Sequence, residues 1–556
     1  MPHFLTDDIL HGSNWRGLER AVARVLIHLG WDNVMIIGKT GDKGGDVLGT
    51  RPDCCGKLCT WVIQVKSVKT GNYVGVSALN ESIGALSFYD ADVCAVATNA
   101  TFTQSAINRK NLLISHGFNA KLWNGATLCE FVMRAPSLSN SMRKLREYQI
   151  RIHKKILQKF DSGDNRGFFI VATGLGKTVI AASIAKDLWE RGCKRILVLC
   201  HSRDLAFQLE QGFWPMLPKE IPTSTFVDGL PPRTTEGIAF GLFQSLAGYT
   251  GGIDTNTFDA IIVDEAHHAS ATTYRACLSA FRPRFLLGMT ATPWRGDGAS
   301  LTPIFGEPVE TVSLVDGMNM GYLAKVDYRI FCDNISWEYL QSKLNEKISI
   351  RDLNKHLFIP QRDEAVISEI KKTISSIDNP RIAIFSPSIE HCTRFSSMLC
   401  AEGISCVSLT GNDKAERRRR LMSFSSGKTS AIAAVELLNE GIDIPDVNVL
   451  VFLRATHSRR IFIQQLGRGL RISEDKEKVI VLDFVSDVRR IADVIDMNNE
   501  GKVKGKGSKN LYLQNGFVTF TNKRIESFVN MWLEDIANLG DVNENIKLNF
   551  PDKYAE

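Results

Sequence analysis

The chain has 556 residues, of which 44% are hydrophobic and 23% charged, a composition typical of a globular protein with roughly three or four domains. Its net charge of +6 excludes a globally cationic chain, so contacts with nucleic acid would have to come from local basic surfaces. The sequence has neither a signal peptide nor the ~20 consecutive apolar residues of a membrane span, so we predict a cytoplasmic protein without membrane contact.

Residues 1–135 have the pattern of a small α/β domain. The predicted elements are a helix over 15–29, strands at 34–37, 61–65 and ADVCAVATN, a helix over 106–115 and a strand at NAKLWNG. The connection between the first two strands contains Cys54, Cys55 and Cys59. No nearby His or Cys completes the paired spacing of a zinc site, so these cysteines are interpreted as reduced thiols.

After residue 135 the linker PSLSNSMRK leads into two series of short apolar runs that alternate with helical segments. The runs are FFIVA, RILVLC, DAIIVDE and RFLLGMT in the first series and RIAIFSP, SAIAAVE, NVLVFLR and KVIVLDF in the second. Such runs are typical of parallel strands covered on both faces. We therefore expect two tandem doubly wound lobes over 136–325 and 326–495, followed by a basic linker and helical extension over 496–556. The run ERRRR at 416–420 is interpreted as a solvated helix face.

FFIVATGLGKT places a glycine-rich turn between a predicted strand and a predicted helix. Gly174 and Gly176 allow backbone N–H groups to approach a phosphate at the helix N-terminus. Lys177 would reach the β- and γ-phosphates of a nucleotide, and the Thr178 hydroxyl would bind Mg²⁺. Val171 stands where such loops usually have their first glycine, so this match alone is incomplete.

Two further motifs complete the chemistry of nucleotide hydrolysis. In DAIIVDEAHH, Asp264 and Glu265 follow a predicted strand, where Asp264 can hold Mg²⁺ and Glu265 can orient or deprotonate a water. In QQLGRGLR, Arg468 and Arg471 lie about one helical turn apart and can stabilise charge on a transferred phosphoryl group. The order and placement of these motifs predict a nucleoside-triphosphate hydrolase that uses ATP and Mg²⁺.

Residues 145–483 resemble superfamily 2 helicases with two RecA-like lobes, in the DEAH-type branch near the motor subunits of restriction enzymes. The matching stretches are LREYQ, VATGLGKT, LCHSRDLAFQ, DEAHH, TATPWRGDG, IFSPS, LNEGIDIP and QQLGRGLR. The resemblance implies that nucleic acid lies across the tops of both lobes, and the form TATPWRGDG resembles double-stranded DNA translocases more than RNA-unwinding enzymes. It also implies roles for five further residues, namely adenine contact by Gln149, coupling of the lobes by Thr290 and Thr292, and positions near the cleft for Glu440 and Asp443.

A second candidate site lies in GDKGGDVLGTRPDCCGKLCTWVIQVKS. Gln64 and Lys66 are two apart on a predicted strand and share a face, and a hairpin would bring the Asp46 carboxylate beside Gln64. These oxygens suit Mg²⁺, Lys66 can stabilise a developing phosphorane, and Glu19 of the first helix can add a second carboxylate. The alternative from the residues alone is a hydrated hairpin with a salt bridge.

Residues 15–132 resemble the Mrr-like branch of the restriction endonuclease fold through five stretches. They are LERAVARVLIHLGW, GDKGGDVLG, WVIQVKS, VCAVATNATFTQSA and AKLWNG. That branch commonly has Gln where other nucleases of the fold have Glu. The resemblance therefore implies a nuclease site formed by Glu19, Asp46, Gln64 and Lys66, with Asp46 and Gln64 as the metal ligands.

The leading hypothesis is an ATP-dependent DNA translocase coupled to a Mg²⁺-dependent endonuclease in bacterial restriction or phage defence. Double-strand breaks need two active sites, so a homodimer is expected, and partner chains from a defence operon fit the same hypothesis. Three alternatives stay open. They are a DNA-repair motor whose first domain only grips DNA, a reader of modified bases that remodels bound proteins, and an RNA-directed ATPase.

Overall fold

A computed structural model describes most of the first two thirds of the chain and parts of the remainder. The described residues are 4–37, 44–139, 142–227, 236–248, 252–268, 272–291, 301–330, 348–349, 363–410, 414–435, 447–453, 469–470, 476, 478–484, 511–513 and 547–548. No helix within these ranges is long and apolar enough to cross a membrane.

The N-terminal domain is a mixed sheet with helices on both faces. Its helices are α1 (Asp7–Leu10), α2 (Trp15–His28), α3 (Val76–Tyr89), α4 (Gln104–Ser115) and α5 (Gly125–Arg134). Its strands are β1 (Asp32–Ile36), β2 (Val47–Pro52), β3 (Leu58–Lys66), β4 (Tyr73–Val74), β5 (Val93–Thr98), β6 (Thr101–Phe102) and β7 (Ala120–Trp123). The main sheet has the order β1-β2-β3-β5-β7, antiparallel from β1 to β3 and parallel from β3 to β7.

The first lobe is built around a seven-stranded, all-parallel sheet of order β10-β11-β9-β12-β13-β8-β14. Its strands are β8 (Arg166–Val171), β9 (Arg195–Cys200), β10 (Thr223–Phe226), β11 (Gly237–Leu242), β12 (Ala260–Val263), β13 (Phe285–Thr290) and β14 (Thr311–Val312). Its α-helices are α6 (Glu147–Asp161), α7 (Lys177–Glu190), α8 (Arg203–Phe213), α9 (Phe243–Ala247), α10 (Thr272–Ser279), α11 (Thr302–Phe305) and α12 (Leu314–Asn319). The central strand β12 is buried along its whole length and β9 at every residue except the first, as their apolar sequences predict.

The second lobe repeats this plan with the parallel order β18-β19-β17-β20-β21-β15-β22. Its strands are β15 (Lys325–Ile330), β17 (Ile382–Phe385), β18 (Cys406–Ser408), β19 (Ala431–Ala434), β20 (Val449–Phe452), β21 (Lys478–Asp483) and β22 (Leu511–Leu513). Its described helices are α13 (Asp363–Ile374), α14 (Ile389–Ala401) and α15 (Lys414–Ser425). A separate pair joins β16 (Ile348–Ser349) to β23 (Lys547–Leu548).

The fold class predicted from the sequence is confirmed, because an α/β domain precedes two parallel-sheet lobes. The segment assigned to a C-terminal extension contributes β22, which pairs with β15 at the edge of the second sheet. The rest of the basic linker and the predicted terminal helix lie outside the described residues. The arginine run interpreted as a solvated face is in α15, where the Arg419 guanidinium lies over the Phe88 ring of α3.

We predict that Gly125→Ala lowers the free energy of unfolding of the N-terminal domain by about 1–3 kcal/mol, as an overpacked site does. An added Cβ would lie 2.4 Å from the backbone oxygen of Asn99. That residue cannot easily shift, because its side-chain amide donates to the Leu10 and Val68 carbonyls at 2.9 and 2.8 Å. The apparent melting temperature measures the effect. Gly75→Ala at the start of α3 is the control, since an added Cβ there meets nothing within 4 Å. Equal shifts for the two variants would contradict the prediction.

Candidate active sites

The glycine-rich turn of the first lobe, residues 172–176, connects β8 to α7 and is called the phosphate turn below. Gly174 and Gly176 have φ angles of 86° and 82°, in the left-handed region that glycine adopts without strain. An added Cβ at Gly176 would also lie 2.6 Å from Nε2 of Gln149, so the backbone and this side chain are in direct contact. The helix that begins at Lys177 therefore presents its N-terminus where the sequence predicts phosphate binding.

Gln149 is buried against this turn and supports it. Its Oε1 accepts from the Arg146 N–H at 2.9 Å, and its Nε2 donates to the Leu175 carbonyl at 2.9 Å. The Tyr148 hydroxyl donates to the same carbonyl. The predicted contact of Gln149 with adenine stays a prediction, but its bond to Leu175 fixes the residue at the phosphate turn.

The two acidic residues of the first lobe follow β12 directly. Lys177 Nζ lies 3.2 Å from Glu265 Oε1, so the ion pair joins the phosphate turn to the acidic motif. Glu265 has a φ of 48°, rare for a residue with a side chain, and its N–H donates to Asp264 Oδ1 at 2.9 Å. His267 Nδ1 lies 3.3 Å from Glu265 Oε2 and 2.8 Å from the Thr290 hydroxyl. Thr290 is thereby linked to the acidic motif at the neighbouring strand end.

Glu265 is held as a carboxylate. Burial by itself would raise its pKa, but the charges of Lys177 and His267 outweigh burial and bring the pKa below its ordinary value. An ionised carboxylate beside a lysine can take up a proton from water once the lysine has turned to another anion. Thr178 follows Lys177 at the start of α7, and Asp264 is buried at the end of β12, so both lie at this same sheet edge.

Several predicted residues of the motor fall outside the described residues. They are Arg468, Arg471, Asp443, Glu440 and Thr292. The contribution of the second lobe to nucleotide binding therefore stays a prediction from the sequence.

In the N-terminal domain, the predicted meeting of Asp46 and Gln64 is confirmed. Asp46 Oδ2 accepts from Gln64 Nε2 and from the Val65 N–H, both at 2.6 Å. The antiparallel register of β2 and β3 causes this, because Val47 faces Ile63 and so brings the preceding Asp46 beside residue 64. Gly45 precedes the aspartate, and an added Cβ there would lie 2.7 Å from Val62 Cγ2.

One buried oxygen of this site has no hydrogen-bond partner in the part of the chain that the structure describes. Gln64 is 4% exposed, and its Oε1 has no hydrogen-bond partner among the described residues, since its Nε2 is directed at the Asp46 carboxylate. A buried amide oxygen in this state costs free energy unless a donor or a cation approaches it. Glu19 is buried on α2, which packs against β2 and β3.

No group of three or more His, Cys, Asp or Glu side chains in the described part of the chain is arranged to hold a metal ion. A divalent ion in the N-terminal domain would therefore depend on the Gln64 amide oxygen in addition to the carboxylate of Asp46. The donors present fit Mg²⁺, a hard ion that takes oxygen ligands and keeps several waters. The free Cys54, Cys55 and Cys59 lie at the exposed end of the β2–β3 hairpin, away from these oxygens.

Lys66 has a partner that the sequence analysis missed. Its Nζ lies 2.6 Å from Glu81 Oε2 on α3. The backbone of Glu81 also approaches the glycine turn, since an added Cβ at Gly44 would lie 2.5 Å from its carbonyl oxygen. Nothing in the sequence distinguishes Glu81 from other acids on exposed helix faces, because the contact depends on how α3 packs on the sheet.

Three family models match successive parts of the chain. A restriction endonuclease model of the Mrr type matches residues 10–132, the model of the res subunit of type III restriction enzymes matches 142–295, and a conserved C-terminal helicase domain matches 361–473. The chain therefore has an N-terminal domain that matches Mrr-type restriction endonucleases, followed by two regions that match helicase domains, the first of them the type found in restriction enzymes. Families of both kinds generally use ATP or a divalent metal, which agrees with the two sites described above.

Two curated relatives and one solved structure are each similar to part of this chain. The endonuclease subunit of the type I restriction enzyme EcoAI of Escherichia coli is 27% identical over 413 residues, 67% of this chain and 50% of that protein. The DNA 3'-5' translocase XPB2 of Sulfurisphaera tokodaii is 24% identical over 61% of this chain and 81% of that protein. A solved structure of the type ISP restriction-modification enzyme LlaBIII bound to DNA has a TM-score of 0.50 at 16% identity. It covers 96% of this chain and 42% of that one and shows the fold alone. The chain thus spans about half the length of the type I subunit.

We predict that Gln64→Glu destabilises the nuclease domain without metal by about 1–3 kcal/mol, because a second buried carboxylate replaces the donor to Asp46. The two carboxylates would raise the pKa of one of them above its unfolded value. The penalty is therefore full at neutral pH and shrinks as the pH falls toward about 5.

Adding Mg²⁺ should raise the melting temperature of Gln64→Glu more than that of the wild type, since the ion neutralises the added charge. Thermal unfolding at several pH values, with and without Mg²⁺, measures both effects. Gln104→Glu adds the same charge at an exposed position of α4 and serves as the control. A stability of Gln64→Glu that responds to neither Mg²⁺ nor pH would count against a metal at Asp46.

Proposed function

We propose that this chain is an ATP-driven motor on double-stranded DNA, coupled to a Mg²⁺-dependent DNA endonuclease that acts in bacterial restriction or phage defence. The observation that carries the nuclease activity is the buried Oε1 of Gln64, which has no partner among the described residues and lies beside the Asp46 carboxylate, in a domain that matches the Mrr type. The motor activity is supported by the Lys177–Glu265 pair at the phosphate turn. The restriction role is supported by the likeness to the type I subunit of Escherichia coli.

In the nuclease domain, Asp46 and Gln64 Oε1 would hold Mg²⁺, and Glu19 would supply a further carboxylate from α2. When bound, the ion polarises the phosphodiester and makes a bound water more acidic. Lys66 carries the positive charge that stabilises the phosphorane oxygens as they become more negative. Since Glu81 neutralises Lys66 before DNA binds, the DNA phosphate would replace Glu81 as the partner of the lysine.

In the helicase core, the backbone N–H groups of the turn and Lys177 would bind the phosphates of ATP, and Thr178 and Asp264 would hold Mg²⁺. Lys177 would exchange Glu265 for the phosphates and so free the carboxylate. Glu265 can then orient the attacking water and take its proton. The arginines Arg468 and Arg471 of the second lobe would stabilise the charge on the transferred group.

The assembly on DNA follows from the chemistry of cutting. A nuclease domain with one metal-binding site cuts one strand at a time, so a double-strand break would need two copies of the chain. We therefore propose a homodimer or a paired encounter on DNA. Partner chains would supply DNA methylation for self-protection and sequence recognition.

We predict that Asp46→Ala/Lys66→Ala abolishes Mg²⁺-dependent cleavage of plasmid and linear duplex DNA while DNA-stimulated ATP hydrolysis continues. Lys177→Ala should abolish ATP hydrolysis and shows by its cleavage rate whether the motor controls the nuclease. Agarose-gel cleavage assays with and without ATP, alongside phosphate-release assays, measure the outcome. Cleavage that survives in the double variant would refute the nuclease site. If the wild type hydrolyses ATP on DNA but never cuts, the first domain only grips or reads DNA.

Glu265→Gln should reduce the rate of ATP hydrolysis by about 10²–10⁴-fold, the usual contribution of a general base. ATP binding should be retained, because the phosphate turn and Lys177 are unchanged. Equilibrium binding of a fluorescent ATP analogue and steady-state hydrolysis separate these two properties. Glu236→Gln, outside the site in the same lobe, is the control. A variant that loses binding together with hydrolysis would show that Glu265 maintains the structure of the site and does not act on the water.

A further inference from the structure

Helix α2 contacts both the sheet of the nuclease domain and the first lobe. Its buried Glu19 belongs to the predicted nuclease site, and the helix packs against β2 and β3. One residue further along, Arg20 extends out of the nuclease domain to the first lobe, and so does Arg24 one turn later. A single helix therefore holds a candidate catalytic side chain and the contacts to the motor.

Arg20 binds Glu210 of α8 with two of its nitrogens. Its Nε donates to Glu210 Oε2 at 2.9 Å, and its Nη2 donates to Oε1 and also to the Thr223 carbonyl at 3.2 Å. Glu210 is 1% exposed and accepts from the Thr223 hydroxyl at 2.7 Å. Two-nitrogen contacts between arginine and carboxylate fix direction as well as distance. The orientation of α2 on the first lobe is therefore set by α8.

Arg24 makes the second contact and is buried in the boundary between nuclease domain and lobe. Its Nη2 donates to the Pro218 and Ile221 carbonyls at 3.1 and 2.9 Å. Its guanidinium lies 4.8 Å from the centre of the Phe4 ring. Trp214, which directly follows α8, packs in the same hydrophobic cluster as the apolar residues of α2. The boundary is thus a packed interior and not a flexible tether.

The same helix α8 reaches the ATP site. Gly212 lies two residues beyond Glu210, and an added Cβ there would be 2.8 Å from Cγ2 of Thr178. Thr178 lies just after the phosphate turn, and its hydroxyl would bind Mg²⁺ with ATP. One helix of eleven residues therefore touches the nucleotide site near its end and holds the nuclease domain through Glu210.

We infer that Arg20 is a positioning residue for DNA cleavage, which sets Glu19 through α2 and transmits the state of the nucleotide site through Glu210 and α8. The inference rests on the proposed function, in that it assigns to the nuclease site a regulator within the motor. It requires that ATP binding at Thr178 changes the stability of α2. It also requires loss of Arg20 to separate the two activities without removing either site.

Arg20→Ala in the full chain tests this. Cleavage of duplex DNA with Mg²⁺ and ATP should fall by about 10²-fold, the effect of a misplaced reacting group, while DNA-stimulated ATP hydrolysis stays at the wild-type rate. Arg20→Lys, which keeps the charge but loses the two-nitrogen contact, should be intermediate. Arg16→Ala is the matched control, because Arg16 is an exposed residue of α2 whose guanidinium lies over the Trp15 ring. It should leave both activities unchanged.

Amide hydrogen exchange measures the response of α2 to nucleotide without depending on DNA cleavage. Binding of a non-hydrolysable ATP analogue with Mg²⁺ should slow exchange in residues 15–28 of the wild type but not of Arg20→Ala. The response of residues 177–190 should persist in both proteins. If the wild type never cuts, the proposed function fails, and this exchange response alone decides the inference. Wild-type cleavage by Arg20→Ala, loss of ATP hydrolysis together with cleavage, or no response of 15–28 to nucleotide would each overturn it.

Discussion

Parallel pairing of β8, β12 and β13 is the constraint on which the helicase active site depends. The three strands lie side by side in the first sheet although other elements separate them along the chain. Their carboxyl ends therefore share one edge, where Lys177, Glu265 and Thr290 meet. The Lys177–Glu265 pair brings together two partly buried charges, each of which would be costly without a partner. It also holds Lys177 where the phosphates of ATP would compete with Glu265 for it, so the pair that stabilises this part of the fold would also position the lysine for a nucleotide.

The nuclease domain also stabilises the charge of a carboxylate, but with N–H donors in place of a second charged side chain. Asp46 is buried, and two N–H donors from adjacent residues of β3 stabilise its carboxylate. A glutamine at position 64 both donates to that carboxylate and leaves an oxygen directed elsewhere, which a glutamate could not do. The cost is one buried oxygen that has no partner among the described residues, instead of two facing carboxylates. The site is therefore compatible with folding before a cation binds, at the expense of weaker attraction for that cation.

Sequence patterns predicted what depends on local geometry and neighbouring strands. The turn at Gly174 and Gly176 follows from strand, glycine and helix in order, and the meeting of Asp46 with Gln64 follows from the hairpin pairing of two neighbouring strands. Contacts between distant elements were not predictable in this way. Glu81 reaches Lys66 through the packing of α3, and Arg20 meets Glu210 across 190 residues. The spacing of surface arginines along the sequence does not identify their partners. The sequence therefore predicts only a linker between the nuclease domain and the motor.

The nuclease domain also contacts the second lobe, through an ion pair that is much more exposed to solvent than the Arg20–Glu210 pair. Asp90 at the end of α3 pairs with Lys428, and these side chains are 76% and 54% exposed, whereas Arg20 and Glu210 are 17% and 1% exposed. Exposed pairs are screened by solvent and contribute little, while breaking a buried pair leaves an uncompensated charge, at a cost of about 3–5 kcal/mol. A change in the angle between the lobes would therefore break the Asp90–Lys428 pair before the Arg20–Glu210 pair. Because α3 also bears Glu81, the partner of Lys66, the weaker contact lies on the helix that neutralises the candidate catalytic lysine. The stronger pair lies on the helix that carries Glu19, so the two candidate nuclease side chains are connected to different lobes through different helices.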